Sequence, residues 1–219
     1  MARSIEATAA WVADRIRKLG GITAVDVLPS GSLRISRKGY PPFVAGVLSE
    51  AVVTKAHVEG VLSVAADAEI IVNIPVESKW TGPAIEAARG NRVAWGGLKD
   101  LMSVAGHDNV RGHERSEYQF AERLLRQFGI VERIEREADR LWILYRKQGL
   151  QPLRVVALNE YELTGDNIRT ARDRYGAFDL VFLNNPNGKA TMQAQQVAKA
   201  LDVPILMAGE LKRRLSSRP

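Results

Sequence analysis

The sequence predicts an α/β protein made of two tandem copies of one mixed-sheet domain. Three observations carry that expectation. Arg37-Lys38-Gly39 returns as Arg146-Lys147-Gln148-Gly149, with the lysines 109 residues apart. Later landmarks keep nearly that spacing: Thr54 matches Thr164, the run 70–75 matches 180–186, Thr81 matches Thr191, and Asp100-Leu101 matches Glu210-Leu211. Alternating hairpin patterns then lead into continuous apolar runs, as strands buried between helical layers do. A period this long marks a repeated globular domain, because solenoid units run about 20–50 residues.

In the first copy an amphipathic helix is expected over 5–19, with Ile5, Ala9, Val12, Ile16 and Leu19 on one stripe and Gly20-Gly21 ending it. Trp11 lies off that stripe. Strands over 22–28 and 32–36 alternate around Pro29-Ser30-Gly31, a hairpin signal. The apolar run 43–49 reads as a strand buried on both faces. A helix follows Thr54, then a buried strand over 70–74. The next helix takes Thr81 as N-cap, with Pro83 in its first turn. A strand over 92–95 and a helical turn over 98–102 finish the copy.

The stretch 104–117 is polar, glycine-containing and weakly patterned, so it reads as a linker between copies 1–103 and 118–219. The second copy repeats the order. A helix over 118–127 precedes strands over 130–136, 140–145 and 153–158. A helix over 166–175, a strand over 178–183, a helix over 191–201 and a strand over 203–207 follow, and a basic tail closes the chain. Each copy is α-β-β-β-α-β-α-β, which implies a mixed sheet with helices on both faces.

The 219 residues are 46% hydrophobic, enough for a core in each copy. Cysteine is absent, which excludes disulfides, Cys-based zinc sites and a thiol nucleophile. No apolar run reaches the roughly 20 residues that span a bilayer, and the first residues lack an apolar signal core. A cytoplasmic protein is expected. The net charge of +6 favours anionic partners, nucleic acid above all, because phosphate contacts are long-ranged and largely independent of sequence.

The order of elements resembles the core of the restriction-endonuclease-like superfamily. Residues 184–215 (NNPNGKATMQAQQVAKALDVPILMAGELKRRL) are similar to the closing segment of its Mrr-like branch: a polar turn, a Thr-initiated helix of spaced alanines, a short apolar strand and an acidic-Leu turn. Residues 73–102 carry the same pattern. The resemblance implies two tandem restriction-endonuclease-like domains. In that family an acid at the second strand and a Glu/Gln-x-Lys on the third hold a divalent metal and orient the attacking water. Asp139 is the acid available in the second copy, but Ala157-Leu158-Asn159 stands where Gln/Glu-x-Lys is needed. Residues 45–50 of the first copy are equally empty. Both copies are therefore expected to be catalytically inactive, with no catalytic residues, metal or cofactor, and to bind DNA or scaffold a DNA-processing or defence complex.

The DNA-binding candidates are Arg37, Lys38, Lys79, Trp80, Arg133, Arg136, Arg140, Arg146, Lys147 and Lys189. The pairs Arg37-Lys38 and Arg146-Lys147 recur at the entry to the buried strand, and Arg133, Arg136 and Arg140 extend the second hairpin. Solvated hairpin charges would look the same. Lys79 and Lys189 precede helix starts, where free N–H groups favour anions. Trp80 is placed to stack on a base or to cover the helix start. Glu50 and Glu160 match after the third strand, either as paired carboxylates or as turn caps. Asn73 and Asn184 precede prolines and read as Asx-type strand ends. His107 and His113 are too few for a zinc site. Two other readings stand beside this one: a metal-dependent nuclease rearranged around Asp67, Glu77, Lys79, Asp139 and Glu160, and a protein–protein interaction subunit.

Overall fold

The computed structural model describes residues 5–216, and they divide into two compact units, Met1–Glu114 and Arg115–Pro219. In the first unit, α1 (Ile5–Ile16) buries Ala9, Val12, Ala13 and Ile16 on one side. Strands β1 (Ile22–Val27) and β2 (Leu33–Arg37) form the expected antiparallel hairpin. Its turn depends on Gly31, which has φ 75°, and a Cβ there would lie 2.6 Å from the Ile5 side chain. The hairpin tip can approach α1 because that residue has no side chain.

Strand β3 (Tyr40–Leu48) pairs antiparallel with β2 and parallel with β5 (Ala68–Asn73), which pairs parallel with β7 (Ala94–Gly96). The sheet order is β1-β2-β3-β5-β7. Helices α2 (Lys55–Val64) and α3 (Gly82–Gly90) make the parallel crossovers, and α4 (Leu98–Val104) follows the last strand. Residues from α1 and α4 share one core with Ile35, Ala45, Val47, Ile70 and Val72. Gly46 points to the opposite face, where a Cβ would lie 2.4 Å from the Val61 side chain of α2. The continuous apolar run is thus buried on both faces, as its composition predicts.

The second unit repeats this plan. Helix α5 (Ser116–Gln127) precedes β8 (Val131–Ala138), β9 (Leu141–Arg146) and β10 (Leu153–Leu158), followed by β11 (Glu162–Leu163) and α6 (Gly165–Tyr175). Then come β12 (Leu180–Leu183), β13 (Lys189–Ala190), α7 (Met192–Ala200), β14 (Ile205–Leu206) and α8 (Ala208–Leu215). The sheet is β8-β9-β10-β12-β14, antiparallel through the hairpin and parallel thereafter. One core holds α5 and α8 residues, the other α6 and α7 residues.

Several expectations change. Two short parallel ladders were not predicted: β4 (Val52–Val53) with β6 (Lys79–Trp80), and β11 with β13. Two-residue strands leave no periodicity to read. The closing acidic-Leu turn of the second unit is a full helix, α8, reaching into the basic tail. The expected linker is also largely part of the first unit. Val110 is completely buried in that unit's core, and the division falls between Glu114 and Arg115. A single aliphatic residue among polar neighbours gives too weak a pattern to be read as core.

Backbone hydrogen bonds set the correspondence between units. Ile74 N–H donates to Leu48 O as Asn184 N–H does to Leu158 O, and Lys79 to Ala51 O as Lys189 to Tyr161 O. Val93 to Ala88 O is matched by Val203 to Ala198 O. These pairs are 110 positions apart, against 109 for Arg37 and Arg146, so the second loop entering the third strand holds one more residue. Asn73 therefore corresponds to Leu183, and Asn184 to Ile74: the two asparagines are not equivalent.

Candidate nucleic-acid interface

Arg37 and Arg146 end β2 and β9, and both are buried, with only 7% and 5% exposure. Arg37 donates from Nε and Nη2 to Pro41 O at 3.0 and 2.6 Å, and from Nη1 to Val104 O at 3.3 Å and His107 O at 2.5 Å. Arg146 donates from Nε to Gln151 O at 2.9 Å and from Nη1 to Leu215 O at 3.2 Å. Val104 and Leu215 end α4 and α8, so each arginine satisfies an orphan carbonyl at a helix C-terminus. Burial lowers both guanidinium pKa values. The recurrence that singled out these arginines reflects a repeated structural clamp.

Arg136 is buried as well, donating to Ala138 O and to Asp139 O at 2.6 Å, with Tyr118 and Trp142 against its guanidinium. It braces the β8–β9 turn from inside. Trp80 is 3% exposed, with its ring 5.4 Å from that of Trp95, so its indole packs inward and is not presented to a base. The exposed members are Lys38, Arg133, Lys147 and Lys189, while Lys79 is half-buried. Arg133 pairs with Glu135 at 3.0 Å over the Tyr145 ring, and Lys189 pairs with Glu162 at 3.0 Å. Beyond these lysines, Thr81 and Thr191 cap α3 and α7 by accepting from Ala84 and Ala194 N–H.

Arg140 belongs to a polar cluster at the ends of the second unit's central strands. Its Nη2 lies 2.9 Å from Glu117 Oε1, and Asn159 Nδ2 donates to Glu117 Oε2 at 2.9 Å. Asn184 Nδ2 donates to Glu117 O at 3.0 Å, while its buried Oδ1 has no hydrogen-bond partner among the described residues. Asn73, by contrast, grips both polar atoms of the Glu50 peptide at 2.8 Å. Neither asparagine makes the Asx turn expected of it. Asn185 Oδ1 instead accepts from Asn187 N–H.

Within each unit the carboxylates of the rearranged-nuclease reading belong to no metal-ligand set among the described residues. Asp67 precedes β5 and Glu77 follows it, which separates them by the length of a six-residue strand, roughly 20 Å. Asp139 is buried in the β8–β9 turn, where both its oxygens accept from Tyr175 OH at 3.1 Å and Arg174 Nη2 lies 3.0 Å from Oδ2. Burial, and then the Asp139 carboxylate, push the Tyr175 pKa well above its usual range. Glu160 is half-buried after β10. His107 and His113 stack with ring centroids 6.1 Å apart. Among the described residues no three His, Cys, Asp or Glu side chains gather as a metal ligand set.

Charge is divided unevenly. Of 31 Lys and Arg and 25 Asp and Glu, the second unit holds 18 and 13 and the first 13 and 12, giving net charges of +5 and +1. The exposed Lys147 sits where Arg146 ties the end of β9 to the end of α8. The last turn of α8 adds Lys212, Arg213 and Arg214, with Arg214 close enough to Arg146 to lower its pKa further. In the sequence, 212–214 read as part of a basic tail. The apolar spacing of Leu211 and Leu215 was the signal for a helix that would hold those cations in place. No protein-family model, curated protein or solved structure matches the chain. Among the described residues no helix is long and apolar enough to cross a membrane.

Proposed function

We propose that the chain is a duplicated, catalytically inactive restriction-endonuclease-like domain that binds DNA through its second unit. The observation that carries this reading is the concentration of positive charge in that unit, +5 against +1. A cationic surface releases counterions from duplex DNA, and that release supplies most sequence-independent affinity. The binding face is the junction of β9 and α8, where Lys147, Lys212 and Arg213 are exposed beside Arg214.

The inactive reading rests on the third strand and its neighbour. Ala157 and Asn159 offer no metal-binding carboxylate or catalytic lysine. The nearby Glu117 carboxylate is held by the Arg140 guanidinium and the Asn159 amide. That carboxylate is thus paired with a protein cation instead of standing open to a metal.

The test is binding of a short duplex across a salt series with Mg²⁺ present, with cleavage read on the same gel. Affinity should fall linearly on logarithmic axes while the DNA stays intact. The double variant Lys147→Glu/Lys212→Glu should bind about tenfold or more weakly, with the slope reduced by about 0.9 for each lost phosphate contact. Mg²⁺-dependent cutting would favour the nuclease reading, and neither binding nor cutting would leave a protein-binding subunit.

A further inference from the structure

The irregular segment after α4 is a strap packed against the first unit. Val110 anchors it in the core with no exposure. Four polar contacts fix it: Arg37 donates to His107 O at 2.5 Å, Arg111 approaches Glu69 at 4.0 Å and donates to Asp67 O, and Glu114 pairs with Arg89 at 2.9 Å. The backbone correspondence between units identifies the counterparts of the three holding residues. Arg37 matches Arg146, Glu69 matches Asp179, and Arg89 matches Lys199, so the charge is kept at each position. All three counterparts line an open groove of about 1100 Å³ in the second unit, with Phe178, Val203 and Pro204 among its apolar walls.

We propose that this groove is a docking site for a strap-like peptide of a partner protein. Its occupant is an irregular segment with an aliphatic anchor, a basic residue directly after it, and an acidic residue four positions beyond the anchor. The anchor would enter beside Pro204; in the first unit Val110 joins the core that includes Ala94, the residue matching Pro204. The basic residue would meet Asp179, the acid would meet Lys199, and a backbone carbonyl would lie toward Arg146. The first unit supplies the template, since it holds such a segment with the same charge pattern. The groove borders the proposed phosphate face at Arg146 and Arg214, which line it, whereas Lys199, Asp179 and Phe178 lie outside that face and Lys147 and Lys212 lie outside the groove.

The probe is a fluorescent peptide with the strap's own sequence, residues 105–114 (AGHDNVRGHE), titrated with the full-length protein. Saturable binding is expected, and Val110→Asp in the peptide should abolish it. Lys199→Glu in the protein, an exposed helix position that folding should tolerate, should weaken binding by about tenfold. The peptide carrying Glu114→Lys should recover affinity for that variant. Absent binding, or binding indifferent to Lys199→Glu, would overturn the proposal. Displacement by short duplex DNA that is itself sensitive to Lys199→Glu would also overturn it and assign the groove to a polyanion. Loss of DNA binding in Lys147→Glu/Lys212→Glu with peptide binding intact separates the two surfaces.

Discussion

Buried polar side chains set the chemistry available to individual residues. Asp139, Tyr175, Arg174 and Arg136 form a hydrogen-bonded network inside the second unit, and removing one member leaves another without its partner. Tyr175→Phe should cost about 1–3 kcal/mol in urea unfolding, because it strips a donor from a buried carboxylate. The same hydroxyl gives a pH signature. Its folded pKa is raised, so its contribution is complete below the unfolded value near 10. Above that pH the unfolded chain releases a proton that the folded one retains, and stability falls. Tyr118, also raised by burial and then by Asp139, adds in the same direction. Alkaline melts should show stability declining above about pH 10, less steeply in Tyr175→Phe. Arg146→Gln separates clamp from contact. It should lower stability by about 1–3 kcal/mol while leaving the salt slope of DNA binding unchanged. A slope reduced by about 0.9 would make Arg146 a phosphate ligand instead.

The best-read elements were those whose local signals agreed. Thr81 and Thr191 initiate helices as predicted, and each hydroxyl also donates at 3.0 Å to a carbonyl of the preceding short ladder, Val53 O or Leu163 O. The cap thus joins helix to strand as well as satisfying an orphan N–H. Thr191→Ala should cost about 1 kcal/mol, read as a lowered urea midpoint with an unchanged slope. Thr191→Ser, which keeps the oxygen, should lose far less. The four short strands were invisible because two residues carry no period. Helix α8 was underestimated because its polar turns read as a tail once separated from the core that Leu211 and Leu215 enter.

At the scale of the whole molecule, the division at Glu114 and the charge imbalance make one prediction. Residues 115–219 expressed alone should bind duplex DNA with the salt slope of the full chain, and residues 1–114 should bind weakly or not at all. Equal binding by the two pieces would remove the charge argument. The repeat itself was legible, because strand order, crossover helices and capping threonines are written locally in both halves. Tertiary structure alone decided which recurrent residues face solvent. Arg37 and Arg146 read as members of recurrent basic pairs and prove to be helix clamps, Trp80 reads as either a base-stacking platform or a cover for the helix start and packs on Trp95, and Asn73 and Asn184 read as equivalents but lie one position out of register. Periodicity reports which way a backbone position points, but a long side chain's partner lies on another element, here 67 residues away for Arg37 and 69 for Arg146, and only the packed chain brings the two together.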